Sequence, residues 1–373
     1  MKLYQLLFLL FVSTALSAQR ALFHNPYNRL SFGTDEKRTA SVSYGDIDAD
    51  GDLDVVIANG RHWPDQNEIY LNAGDGFFTV SYDLGFYRST TYAAELGDLD
   101  GDGDLDIAVG NDEAPNRIFI NDGKGMFEEG GTFGGLYTPT RNLTLGDIDA
   151  DGDTDILITN RGYKNEICLN NGKGQFEQII HFGEEDDSTI DVELGDIDQD
   201  GDQDLILANR DGQQNYIYLN NNLEFEQKIA FGTGKDETRS VALADFNKDG
   251  FMDILTGNIN QKNQIIFGDE KLSYTTSIDL DTLADRTFSL DVGDFDSDGD
   301  MDILIGNNNK ANQVYINQGD GKAFEPIELS DSAFNTYDIK FVDLNKDGYL
   351  DIIEANSDAK NLYYLNTIPY RKK

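Results

Sequence analysis

The sequence predicts an all-β fold: a closed seven-bladed β-propeller of four-stranded blades, with blade seven completed by the N-terminal strand. Three observations predict it. An acidic motif of the form GDIDADGDLD recurs seven times, its first Asp at positions 46, 98, 147, 196, 245, 294 and 343, at intervals of 52 and then 49 residues. Apolar residues between the motifs alternate with polar ones, the period of a strand, and no helical period of useful length occurs. Seven copies at that period fill nearly all of the chain after residue 18, which leaves no room for a second domain.

Within one copy the elements follow in order. Pairs such as Val42 and Tyr44, Leu143 and Leu145, Val192 and Leu194, or Ile339 and Phe341 mark a first strand with one apolar face. After the acidic loop, short continuous apolar runs such as Val55–Ala58, Ile156–Ile158 and Leu205–Ala208 mark a second, buried strand. Ile69–Leu71, Ile118–Ile120 and Ile217–Leu219 mark a third. A Gly- and Asn-rich turn then leads to an aromatic that opens the fourth: Phe78, Phe127, Phe176, Phe225, Tyr274 and Phe324. Four short antiparallel strands repeated radially make a propeller. Copy seven lacks a fourth strand, and residues 21–33 are expected to supply it, because FGTDEKRT ending at Thr39 matches FGTGKDET ending at Thr238. Closure of that kind removes two exposed sheet edges.

Every copy also repeats a threonine seven residues before the first Asp (Thr39 to Thr336) and an asparagine thirteen after it (Asn59 to Asn356). A second asparagine opens each third strand (Asn67, Asn116, Asn165, Asn215, Asn263, Asn312, Asn361). Residues present in every copy are expected to serve architecture, bonding nearby backbone in turns.

Composition bounds the function. With 69 acidic and 29 basic residues the net charge is −40, which excludes non-specific nucleic-acid binding. One cysteine excludes a disulfide framework, and Cys168, the counterpart of Tyr70, Phe119 and Tyr218, is expected to be buried and inert. Residues 1–18 read as a secretory signal peptide: Lys2, an apolar run to Val12, then small residues up to a cut near Ala18. The competing reading, a membrane anchor, needs a run about twice as long, of ~20 residues. The mature chain, 19–373, is therefore expected outside the cell or in a periplasm, without a membrane span.

The acidic loops are expected to hold cations. Side-chain oxygens stand at positions 1, 3, 5 and 9, with glycine at 6 to turn the chain back. The seven sets are Asp46, Asp48, Asp50 and Asp54; Asp98, Asp100, Asp102 and Asp106; Asp147, Asp149, Asp151 and Asp155; Asp196, Asp198, Asp200 and Asp204; Asp245, Asn247, Asp249 and Asp253; Asp294, Asp296, Asp298 and Asp302; Asp343, Asn345, Asp347 and Asp351. All-oxygen, carboxylate-rich loops of this size favour Ca²⁺ over Mg²⁺. The loops contain 31 Asp, and two carboxylates ~4 Å apart repel by about 4 kcal/mol at an effective dielectric of 20. About seven Ca²⁺ would bring the formal charge from −40 to −26. Merely solvated turns would not need the fixed 1-3-5-9 spacing, and no flanking helices or terminal Glu suggest an EF-hand.

These DxDxDGxxD loops, each set between two strands at this period, resemble the FG-GAP or VCBS repeats of integrin α-chain N-terminal propellers and their bacterial and fungal relatives. The resemblance covers residues 21–366, although integrin propellers carry such loops in only some blades. It implies a seven-bladed, calcium-binding, extracellular recognition scaffold. The family includes lectins and a few carbohydrate-active lyases or dehydratases, so the resemblance does not set the function.

Ligand candidates are the residues that do not repeat. Six before each first Asp stand Ala40, Tyr92, Arg141, Ile190, Arg239, Phe288 and Tyr337, a ring of aromatics and Arg expected at the channel mouth away from the acidic loops. Such a ring suits sugars or carboxylates and sulfates; packing between blades is the alternative for its aromatics. The longest link between second and third strands, Gly60 to Gln66, adds Arg61, His62 and Trp63. An exposed Trp63 would bind ligand; a buried one would cap a seam between blades. No GxSxG or HExxH motif occurs, and Asn142, though in a glycosylation sequon, falls in an inner strand. The expected function is a non-catalytic module binding a glycan or an extracellular protein. A polysaccharide lyase or dehydratase using the same face is the alternative.

Overall fold

The computed structural model describes residues 23–25, 29–280 and 282–367. The expected signal peptide lies outside the described residues. Every element is a strand, and no helix among the described residues is long and apolar enough to cross a membrane.

The repeating unit is the four-stranded antiparallel sheet that the alternation predicts. In the second copy its strands are Thr91–Gly97, Asp106–Asn111, Asn116–Asn121 and Phe127–Phe133, hydrogen-bonded in that order. The second strand of each unit is buried along its whole length, as in Asp155–Asn160 and Asp204–Asn209, which explains its continuous apolar run. Fourth strands such as Phe78–Asp83 are mostly exposed and polar.

Because second strands have apolar residues on both faces, each unit must pack against two others. Among the described residues seven core clusters meet that demand, six joining successive copies and one joining copy seven to copy one. Val56, Ala58 and Ile69 of copy one meet Ala94, Ile107 and Phe119 of copy two. Ile118 meets Ile156 and Phe176 in the next. Val42, Val55 and Ile57 of copy one also meet Val342, Ile353 and Tyr363 of copy seven. Each such side chain contributes about 1.5–3 kcal/mol on burial. Cys168 is buried within one of these clusters, and burial pushes its thiol well above the usual range, as expected for an inert cysteine.

The N-terminal segment pairs where copy seven lacks a strand. Phe23 and His24 lie opposite Asn366 and Leu365, and Ser31 and Phe32 lie opposite Leu362 and Asn361, all antiparallel. Copy seven's second and third strands run on as one span, Asp351–Asn366.

Two details differ from the expected pattern. In copies three to five the aromatic expected to open the fourth strand sits in the turn before it; the strands begin at Gln178, Lys228 and Thr276. Phe176 and Tyr274 turn inward instead and are buried, and Tyr274 Oη donates to Met252 O at 2.9 Å. The repeated Thr and Asn also do more than serve turns. Thr39 Oγ1 donates to Asn59 Oδ1 (2.8 Å), and Asn67 Oδ1 accepts from Asn59 N (2.8 Å). Asn67 Nδ2 then donates to Thr91 of the following copy (3.1 Å). The inter-copy bond recurs from Asn116, Asn165, Asn215, Asn263 and Asn312, and Asn361 donates to Thr39 at 2.9 Å.

Candidate metal loops and channel mouth

Each acidic loop is a tight backbone coil. Glycine 6 has positive φ in all seven copies, from 82° at Gly348 to 102° at Gly201, and its N–H donates to the first Asp, as Gly51 N does to Asp46 Oδ2 (3.1 Å). The sequence reading missed a second left-handed position, the fourth. Ala49, Ala150, Gln199, Lys248, Ser297 and Lys346 hold φ between 55° and 62°, at a cost of about 1–2 kcal/mol each. The lone glycine there, Gly101, was the available signal.

The coil brings oxygens together. Ligand atoms of Asp46, Asp48 and Asp50 lie within 4.8 Å of one another, as do those of Asp98, Asp100 and Asp106, of Asp147, Asp149 and Asp155, of Asp196, Asp198 and Asp204, and of Asp294, Asp296 and Asp302. Loops five and seven, with Asn247 and Asn345 at position 3, have no such group of three acids among the described residues. In those loops position 4 is a lysine that reaches the adjoining loop: Lys346 Nζ lies 2.6 Å from Asp52, and Lys248 pairs with Asp300.

Position 9 has a double part. Asp54, fully buried, accepts Ile47 N (2.9 Å) and Asn72 N (2.8 Å), and every copy repeats both bonds with its own residues. Burial raises these carboxyls to about 6, and Asp302 and Asp351 to about 7. Partial burial, then the facing Asp50 and Asp46, raises Asp48 as well. Buried Asp46 Oδ1 and Asp347 Oδ2 have no hydrogen-bond donor. Crowded carboxylates, all-oxygen donors and orphaned buried oxygens fit a hard divalent cation.

At the opposite ends of the first strands, a β-bulge occurs in every copy. Thr140 faces Asn160 and Asn142 faces Thr159, so Arg141 is the extra, unpaired residue. The same interruption falls at Ala40, Tyr92, Ile190, Arg239, Phe288 and Tyr337. A bulge re-aims a side chain out of the strand alternation. All seven residues therefore line a single cavity of about 330 Å³. The variable ring was legible; the bulge that turns it inward was not.

Each candidate has a definite setting. Tyr92 and Phe288 are largely buried, so they pack and line the cavity at once. Phe288 meets Tyr337 edge-on, centroids 4.9 Å apart. Arg141 pairs with Asp112 (2.6 Å) and lies 4.5 Å from the Tyr92 ring centroid. Arg61 stacks 4.0 Å over Tyr337, donating to Ser357 Oγ at 2.9 Å. His62 Nδ1 lies 3.0 Å from Tyr92 Oη; burial, then Arg61, lowers the imidazole below its usual range. Trp63 is 67% exposed at the boundary of copies one and seven, its ring centroid 6.0 Å from the Arg38 guanidinium. It lies outside the cavity, beside Lys37, Arg38 and Asp358 in a shallow cleft. Asn142 is engaged with Asp191 (2.6 Å).

The cavity also contains residues that sequence reasoning passed over. Glu95, Glu193 and Lys340 stand three before the first Asp, and Asp191 and Asp338 stand five before it. Burial pushes Glu95 and Glu193 up to about 8, whereas Asp338 foremost, with Asp291 and the two Glu, holds Lys340 charged. Part of this tier staples first strands together: Asp338 accepts Val42 N (3.0 Å) and Ser289 Oγ (2.9 Å), and Asp191 accepts Val241 N (3.1 Å). Their signal was variability at two more positions of the same strand.

No curated protein matches the chain. Among solved structures it is similar to BBS1N in complex with ARL6DN, in crystals soaked with mercury and with lead. The identity is 13%, with 93% of this chain and 97% and 98% of those chains covered, at TM-scores of 0.61 and 0.63. That likeness is one of fold, a propeller-like arrangement of repeated sheets. Residues 46–109, 98–158, 147–207, 196–256, 245–305 and 294–354 each match the FG-GAP-like repeat. With its loops and strands repeating over that whole length, the chain belongs to the FG-GAP-like repeat family.

Proposed function

We propose that this chain is an exported, calcium-loaded recognition module, a closed ring of seven blades that binds a glycan or an extracellular protein at the mouth away from its acidic loops. The observation that carries the reading is the cavity to which every copy sends its bulge residue. Closure is supported by the copy-seven to copy-one cluster, the Asn361–Thr39 bond and the pairing of residues 31–32 with 361–362. Exposed aromatics stand in the links at that end of the strands: Trp63, Phe86, Tyr87, Tyr137 and Tyr163 are all more than half exposed, with Phe77 their counterpart at the other end. Large exposed aromatics next to arginine are the side chains most enriched where proteins bind partners. The solved neighbour, too, is a propeller bound to another protein.

The test is capture of calcium-loaded protein on a glycan array and on extracellular protein extracts. Trp63→Ala and Arg141→Ala should each weaken capture while the fold is kept; full retention in both rejects this face. Metal analysis should return about seven calcium ions per chain, and N-terminal sequencing of exported protein should begin near Gln19.

The His62–Tyr92 pair favours one second reading, a lyase using the same face. Burial raises the Tyr92 hydroxyl above its usual range, which makes it a poor base and leaves binding the better account. Release of unsaturated product from anionic polysaccharides, followed by absorbance, would reverse that preference.

A further inference from the structure

Arg239 is the outlier of the mouth. In a chain with 69 acidic residues its guanidinium makes no ion pair and no hydrogen bond among the described residues, and its Nε is buried without an acceptor. It is held instead between rings, 5.0 Å from the centroid of Phe288 and 5.5 Å from that of Tyr337. Arg210, close enough to repel it, also has a buried Nε without an acceptor. Burial draws Arg239 down to about 10, with Asp191 acting on it from beyond ion-pair distance, so it stays charged at neutral pH without a contacting counter-charge. An unpaired guanidinium with its Nε shut away from water is costly, and a bidentate anion is the partner its geometry matches.

One step deeper the lining is mixed, carboxyl groups surrounding the charged Lys340. Asp191, Glu193, Asp338 and Glu95 offer acceptors, and Ser240 offers a hydroxyl. These groups suit the hydroxyls of a polyol. The cavity volume, about 330 Å³, is that of a small-ligand site. Resting on the recognition reading above, we infer that the mouth takes a sugar acid, its carboxylate on Arg239, its ring against Phe288 and Tyr337, and its hydroxyls toward the acidic tier.

Calcium-loaded protein should be titrated by calorimetry with D-glucuronate and D-galacturonate, against D-glucose, D-galactose and the neutral isostere D-glucuronamide. At least one acid should bind in the millimolar range or tighter, and each neutral counterpart about tenfold more weakly or worse, as loss of a charge-assisted bond requires. Arg239→Gln should remove the preference, with Arg239→Lys restoring part of it, at unchanged melting temperature. The glucuronamide comparison needs no variant, so it decides the matter even if Arg239→Gln fails to fold. Equal binding of acid and amide, no binding of either acid, or tighter binding of an aspartate hexapeptide overturns the inference. Glycan or protein capture through Trp63 and Arg141 would survive any of these results, so the two readings fail separately.

Discussion

The two ends of the first strands obey opposite rules. At the acidic end all seven copies repeat one geometry: positive φ at positions 4 and 6, and a ninth Asp locked by two backbone amides. At the mouth the backbone also repeats, as a bulge, but the side chain there is Ala, Tyr, Arg, Ile, Arg, Phe and Tyr in turn. Repetition serves a need common to every blade, the relief of carboxylate crowding. Variation on a repeated backbone shapes one asymmetric surface from a near-symmetric frame. Perturbing the first end should change stability, and perturbing the second should change binding.

The largest effect expected is from chelation. A site saturated a hundredfold above its Kd contributes about 2.7 kcal/mol, so with the acidic loops loaded as proposed, chelation should lower the melting temperature by more than ~10 °C. An unchanged melt in excess EDTA breaks the comparison at its stable end. Next comes the copy-seven to copy-one seam. Asn361→Ala strands buried Asn356 N and removes the donor to Thr39, and should cost about 2–3 kcal/mol in urea unfolding. A much smaller loss than in Asn165→Ala, its mid-chain equivalent, would argue against a closed ring.

A smaller effect concerns pH. Glu95 and Glu193, ordinarily near 4.5, are raised to about 8 by burial, so between those values the folded chain binds more protons than the unfolded one. Stability should therefore fall as pH rises from about 4.5 to 8. Both residues are half-buried in the shared cavity, so the loss is about 1 kcal/mol per group rather than the full desolvation value. Glu95→Gln should flatten that fall in calcium-saturated protein; an unaltered slope assigns it to other groups. The smallest effect is that of Trp63→Ala on stability, within about 0.5 kcal/mol because the ring is exposed, whatever it does to capture. A large loss of melting temperature would move Trp63 from the binding side of the comparison to the structural side.

Much of this was legible because its causes are local. A period of two, Gly at a left-handed position and Asp at alternate loop positions are dictated by bonds within a dozen residues, so strands and loops fall where the repeat puts them. Phe176 and Tyr274 were misplaced because a preference for turning inward depends on the space under the neighbouring sheet. The Thr–Asn links were visible as repeated residues, but not as bonds between copies, since a donor and acceptor 24 residues apart reveal nothing until two sheets face each other.

By itself the sequence determined the repeating sheet, the acidic coils and the identity of the variable ring, each a matter of period and spacing. Tertiary structure alone decided that the bulges turn that ring into one cavity, that Arg141 finds Asp112 while Arg239 finds no acid, and that Trp63 stands apart from the mouth. Pairing of charges and sharing of a cavity depend on distances between copies about 50 residues apart in the chain, which only the packing of sheet against sheet sets.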